Sequence, residues 1–217
     1  MRTNQEYKNA ALDRLRGNWT APVIATLVFT VIALFCTSGQ AIPYIKANTG
    51  MTLWLGGASF LLMVFVVNPL IVGYDNAMRL FYERGEEDIL NNMFKIATTN
   101  YLHKVLGMFL MDLKVMLWTL LLIIPGIIMT FAYAMTPYIL EEHPEIGAWD
   151  ASTRSREMMK GHKFDLFWLY LSFIGWAILG ILTFGIGYFW LSPYVSCSEI
   201  GFYNDLKAEQ GEPAVTS

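Results

Sequence analysis

Charge is what this sequence has least of. Only 15% of its 217 residues are Asp, Glu, Lys or Arg, while 55% are hydrophobic; in soluble domains about a quarter of residues are charged. An ordinary soluble domain is excluded, and the mean hydropathy of +0.41 fits an integral membrane protein. A basic excess is missing too. The formal net charge is -3, which argues against a nucleic-acid partner, because such surfaces need surplus Lys and Arg. With only Cys36 and Cys197, set toward opposite faces by the topology derived below, an intrachain disulfide is implausible. The apolar runs lack the alternation of barrel strands. Catalytic spacings are also absent: there is no HExxH and no nucleophile elbow. No catalytic residue, cofactor-binding residue or metal ligand is therefore expected, nor an enzyme.

What is present is a set of long uncharged runs, Trp19 to Pro43, Leu53 to Tyr74, Val115 to Leu140 and Leu166 to Ser198. Each is near or above the roughly 20 residues a helix needs to cross a bilayer core. The polar leader before Trp19 is too long for a secretory signal, and Phe35 before Cys36 is too bulky for a lipoprotein site, so the first run is expected to remain as an uncleaved span.

Basic residues order these runs. They cluster as Arg2, Lys8, Arg14 and Arg16; Arg79, Arg84, Lys95 and Lys104; and Arg154, Arg156, Lys160 and Lys163, with Lys46, Lys114 and Lys207 alone. If Leu106 to Leu140 crossed once, the cluster from Arg154 to Lys163 would face outward, against the positive-inside rule. If the chain reverses at Pro125-Gly126, thirteen of the fifteen basic residues lie inside, Lys46 lies outside and Lys114 falls within a span. Proline stops an incoming helix and glycine tolerates a tight reversal. Gly185 and Gly187 mark a second such turn. The expected fold is all-α: six transmembrane helices as three hairpins, both termini cytoplasmic. One membrane domain, 1–217, would hold units of about 1–85, 86–143 and 144–217.

Each second arm holds a polar residue followed by proline: Asn68-Pro69, Thr136-Pro137 and Ser192-Pro193. Asn, Thr and Ser cap helices and proline favours the first helical position, so all three arms are expected to be broken or kinked there. Between hairpins lie amphipathic segments. Thr3 and Glu6 form a capping box, and Tyr7, Ala11, Leu15 and Trp19 recur every fourth residue, a helix expected to lie on the membrane. Glu86, Glu87 and Asp88 suit the start of a helix carrying Leu90, Met93, Phe94, Ala97 and Tyr101. In HPEIGAWDASTRSREMMKGHKF, Pro144 and Glu145 begin a helix that Gly161 ends.

Several residues invite a functional reading. Asp112 and Lys114 are candidate intramembrane polar groups, which are costly and often couple ions or substrates. Spaced by two, they point to different faces; the competing reading is interfacial residues with a snorkelling lysine. Arg154, Arg156, Lys160, Lys163 and Trp149 are a candidate anionic headgroup site beside Met158 and Met159, or else set topology alone. Three broken helices at one face would resemble the ion sites of transporters, or be packing kinks. His103, His143 and His162 lack metal-ligand spacing, and Ser152 and Ser155 near His162 lack a nucleophile motif.

The stretch from LWTLLLIIPGI to FYNDL, with its IPGI turn, S-R-x-M-M-x-G-H segment and LSFIGW span, closely resembles the bacterial domain-of-unknown-function family 975. ALDRLRGNW also resembles that family's N-terminal segment. The resemblance implies a polytopic protein of the bacterial inner membrane, distantly similar to the membrane domain of some glycerophosphodiester phosphodiesterases, and transfers no catalytic residue. The expected role is non-enzymatic: organising or sensing lipid, anionic lipid included, or scaffolding a protein partner or a second copy. The alternative is a small-solute, ion or lipid transporter.

Overall fold

The computed structural model of the chain describes residues 1–37 and 49–211. Pro43 and the Lys46 loop lie outside the described residues. Helix α1 (Asn4–Leu15) begins at the capping box read from the sequence: Thr3 Oγ1 accepts from the Glu6 amide at 3.3 Å, and the Thr3 amide donates to the Glu6 carboxylate at 2.6 Å. Its stripe of Tyr7, Ala11 and Leu15 does not lie on lipid. It is buried against the last helix, α12 (Tyr188–Glu209), where the Tyr7 ring meets Phe202 edge-on at 5.7 Å. Periodicity identified the apolar face, but not what would cover it.

Helix α2 (Thr20–Thr37) packs on a long second arm: α3 (Thr49–Leu62), a π-helical stretch Met63–Val67, and α4 (Asn68–Arg84). Asn68-Pro69 was expected to break this arm, but the helix runs through it. Proline removes one amide donor and crowds the carbonyl four residues back; here that carbonyl is Phe65, inside the widened π turn, and the Tyr101 hydroxyl donates to it. A wider turn and a side-chain donor replace the break.

Helix α5 (Ile89–Thr98) starts at Asp88, which accepts from the Asn91 amide at 3.3 Å. Met93 and Ala97 are buried, while Phe94 remains exposed. Helices α6 (Tyr101–Leu121), α7 (Ile123–Ala132) and α8 (Thr136–Glu142) form the central hairpin. The reversal occurs at Leu122, whose backbone is extended, not at Pro125-Gly126. Pro125 sits in the first turn of α7, where a missing donor costs nothing because those amides have no helical acceptor. Gly126 is needed for approach: a Cβ there would stand 2.7 Å from Thr119 Cα. Farther along, Gly107 faces Leu140, so α7 and α8 run antiparallel to α6.

Thr136-Pro137 is a genuine break. Residues 133–135 form a turn before α8, and Ser155 satisfies the groups it frees, accepting from the Met135 amide at 3.2 Å and donating to the Ala132 carbonyl at 3.0 Å. Ser155 belongs to α9 (Ala148–Met158), which starts at Gly147 and not at Pro144. Met158 and Met159 enter the protein core instead of lipid. The third hairpin departs from expectation again. Its first arm is interrupted at Ser172-Phe173, between α10 (Lys163–Leu171) and α11 (Ile174–Leu182), while α12 continues uninterrupted through Ser192-Pro193. Dense burial of α12 from Pro193 to Lys207 holds it together despite the lost hydrogen bond. The turn at 183–187 lies where the glycines indicated, and Gly187 packs on Gly180.

One buried cluster runs from Tyr7 to Leu206 and gathers α1, α2, α4, α5, α6, α8, α9, α10 and α12. The hairpin tips are the reverse: Trp54 is 82% exposed, Leu120 79% and Phe184 98%. Apolar surface on this scale needs an apolar surrounding. Among the described residues, four helical segments are long and apolar enough to cross a membrane: Thr20–Thr37, Trp54–Arg84, Ile123–Glu142 and Lys163–Leu182. Helices α6 and α12 have the length, but α6 carries Lys104, Asp112 and Lys114, and α12 carries Glu199, Asp205 and Lys207.

Candidate functional site

Asp112 and Lys114 do occupy different faces, and each finds its own partner. The Asn68 amide donates to Asp112 at 2.8 Å, joining α4 to α6. Lys114 is buried and does not snorkel to solvent. Its ammonium donates to Ser152 Oγ at 2.6 Å and the Trp149 carbonyl at 3.1 Å, and lies 3.5 Å from the Trp149 ring centroid. Lys114 therefore fastens α9 to α6, with carbonyl, hydroxyl and π face replacing a carboxylate.

Where α4, α8 and α12 converge, Glu142 receives Arg79, Lys207 at 2.8 Å and the Tyr203 hydroxyl. Arg79 also meets Glu83 at 3.5 Å, and Asn76 ties α4 to the Pro137 carbonyl at 2.9 Å. Lys104, fully buried, pairs with Glu141 and donates to the Ile96 and Thr99 carbonyls. Sequence reading treated Arg79, Lys104 and Lys207 only as topology signals. A carboxylate pair directly after an apolar run, Glu141-Glu142, was the available clue.

Helix α1 is clamped at the same end. Arg2 meets Asp205 at 2.7 Å, and the Tyr7 hydroxyl donates to that carboxylate at 2.8 Å. Burial works to raise the Asp205 pKa, but hydrogen bonds from Arg2 and Tyr7 outweigh it and hold the group below its ordinary value. Tyr7 moves upward, through burial and then its bond to Asp205.

The basic segment does not assemble as one site. Trp149 is engaged by Lys114, Arg154 lines a polar hollow with Asp150, Thr153 and Glu157, and Arg156 lies on the side of Lys114 and Tyr133. Lys160 and Lys163 stay together. They border a cleft of about 350 Å³ whose wall is Ile127, Ile128 and Phe131 of α7 and Phe164 and Phe167 of α10. Phe131 and Phe167 close its floor edge-on at 5.8 Å. Among the described residues neither lysine is tied to a carboxylate. Sequence reading missed the apolar wall, because its two halves lie more than thirty residues apart.

Ser152 and Ser155 are buried braces, and His162 faces Asp165 at 3.2 Å and Glu209 at 3.1 Å. His143 meets Glu145 at 3.0 Å. Among the described residues no serine–histidine pair forms.

Among the described residues, fold and cleft together define an all-helical architecture with membrane-compatible helices and a cation-rimmed apolar cleft. Residues 119–210 match the model of the family described as Protein of unknown function (DUF975), so this stretch of the chain is similar to that family. It covers α7 to α12, both walls of the cleft included. No curated protein and no solved structure matches the chain.

Proposed function

We propose that this protein is a non-enzymatic lipid-binding protein of the bacterial inner membrane, crossing it six times with both termini cytoplasmic, and that the α7–α10 cleft holds an anionic lipid. One observation carries the reading: Lys160 and Lys163, without carboxylate partners among the described residues, stand at the rim of an otherwise apolar cleft. An acyl chain fills the apolar part and the headgroup phosphate meets the lysines, each worth about 1 kcal/mol near an anionic surface. The topology rests on the distribution of Lys and Arg and on the antiparallel run of α6 against α7 and α8. Lipid organising or sensing follows, with a protein partner or second copy using the exposed apolar flanks.

The test is lipid retention. Protein extracted in mild detergent is analysed by native mass spectrometry, as wild type and as Lys160→Gln/Lys163→Gln, with orientation checked by a reporter fused after His162. Bound phosphatidylglycerol or cardiolipin should fall by up to about thirtyfold, as expected for up to about 2 kcal/mol, while Arg154→Gln has a smaller effect. Unchanged anionic lipid on a correctly oriented variant refutes the cleft as the site. Transport, the second reading, draws support from the Asn68–Asp112 pair inside the helices.

A further inference from the structure

Two acidic side chains remain outside this account. Asp75 on α4 and Glu199 on α12 are half-buried and face each other across the packed helices. Glu199 accepts a hydrogen bond from the Tyr170 hydroxyl of α10 at 2.6 Å. Asp75 makes neither a hydrogen bond nor an ion pair among the described residues. The neighbouring cations are engaged elsewhere, Arg79 by Glu83 and Glu142, and Lys207 by Glu142. Tyr74, next on the same helix, turns to Thr26 at 2.8 Å.

A third side chain points into this space. Tyr138 of α8 is 1% exposed, stacks on Tyr203 at 4.9 Å, and faces Asp75, Glu199 and Tyr170. Its hydroxyl makes no hydrogen bond among the described residues. A buried phenol without an acceptor is costly, and an ionisable group inside membrane helices calls for a partner. Both deficits meet at one place, where two carboxyls and two phenols converge; Arg79, the cation on the side of Tyr138, is held by Glu83 and Glu142.

We propose that Asp75 and Glu199 form a proton-binding site in the helix bundle, holding one proton between them at neutral pH, with Tyr170 and Tyr138 as hydrogen-bond donors to the carboxyl that remains ionised. The proton comes from solvent and rests on a carboxyl oxygen, reducing the pair from two negative charges to one. Because the four helices that supply the groups are linked by packing, α8 and α12 on α4 and α10 on α12, loss of the proton loosens their contact. This site is separate from the lipid cleft and does not depend on it.

Infrared spectroscopy of the protein in lipid nanodiscs tests this directly. Wild type should show, at neutral pH, one carboxylic C=O band per chain more than Asp75→Asn/Glu199→Gln, and raising the pH should abolish that difference. Tyr138→Phe, which removes a donor to the ionised form, should keep the band and shift its midpoint to higher pH. If the double variant fails to fold, ¹³C-carboxyl labelling of Glu or of Asp in wild type identifies the band by its isotope shift. Identical spectra for wild type and double variant, or no label-sensitive band, overturn the proposal. Loss of the band on adding sodium or magnesium at constant pH overturns it as well, since a metal cation would then be the ligand.

Discussion

Removing the carboxylate of Glu142 exposes how the packed end of the bundle is held. Its side chain is 10% exposed, that of Arg79 8% and that of Lys207 7%. Two carboxylates, Glu83 and Glu142, balance two cations, so Glu142→Gln leaves one positive charge uncompensated away from water. Breaking such a pair by removing one partner costs about 3–5 kcal/mol. The glutamine oxygen still accepts one hydrogen bond, which sets the expected loss near 3 kcal/mol, and Glu142→Ala, which accepts none, near 5. Equilibrium unfolding in mild detergent, followed by tryptophan fluorescence, measures it. Glu142→Gln/Lys207→Met removes one charge of each sign and should regain about 1–2 kcal/mol, within the range of coupled neighbouring sites. A loss below about 1 kcal/mol for Glu142→Gln, or a double variant no more stable than the single, would refute the reasoning.

Two further outcomes follow from the hairpin and the clamp. Gly126→Val should destabilise by about 1–3 kcal/mol through overpacking against Thr119, whereas Pro125→Ala should leave the accessibility of cysteines placed at 150 and 208 unchanged, because the reversal lies at Leu122; a flipped pattern in the proline variant would restore Pro125-Gly126 as the turn. The Asp205 pKa is lowered in the folded state, so its contribution is present above the unfolded value near about 4 and lost as pH falls through the folded one. A dye on Gln5→Cys should report α1 docked from neutral pH down to about 4 and loosening only below it, as pH falls through the lowered folded value, with Asp205→Asn looser already at neutral pH; loosening as pH rises through that window would contradict the sign.

The sequence by itself determined what depends on local spacing and on transfer to an apolar medium. Runs of about 20 uncharged residues are read by length, the Thr3–Glu6 box and the Tyr7, Ala11, Leu15 stripe by helical period, and the existence of the central reversal by its basic flanks, with Pro125-Gly126 placing it three residues past Leu122. It could not determine how a proline is accommodated, since that depends on which neighbour supplies a donor. Tyr101 lets the helix pass Asn68-Pro69 as a π turn, Ser155 supports the break at Thr136-Pro137, and burial of α12 carries Ser192-Pro193 through intact. The same holds for charge. Lys114 was legible as an unusual residue within a span, but its Trp149 and Ser152 partners, the Glu142 hub and the lysine-rimmed cleft join residues tens of positions apart. Only the packing of α4, α6, α7, α8, α9, α10 and α12 brings them together, because an ammonium or carboxylate out of water takes whichever partners the tertiary contacts place within hydrogen-bonding reach.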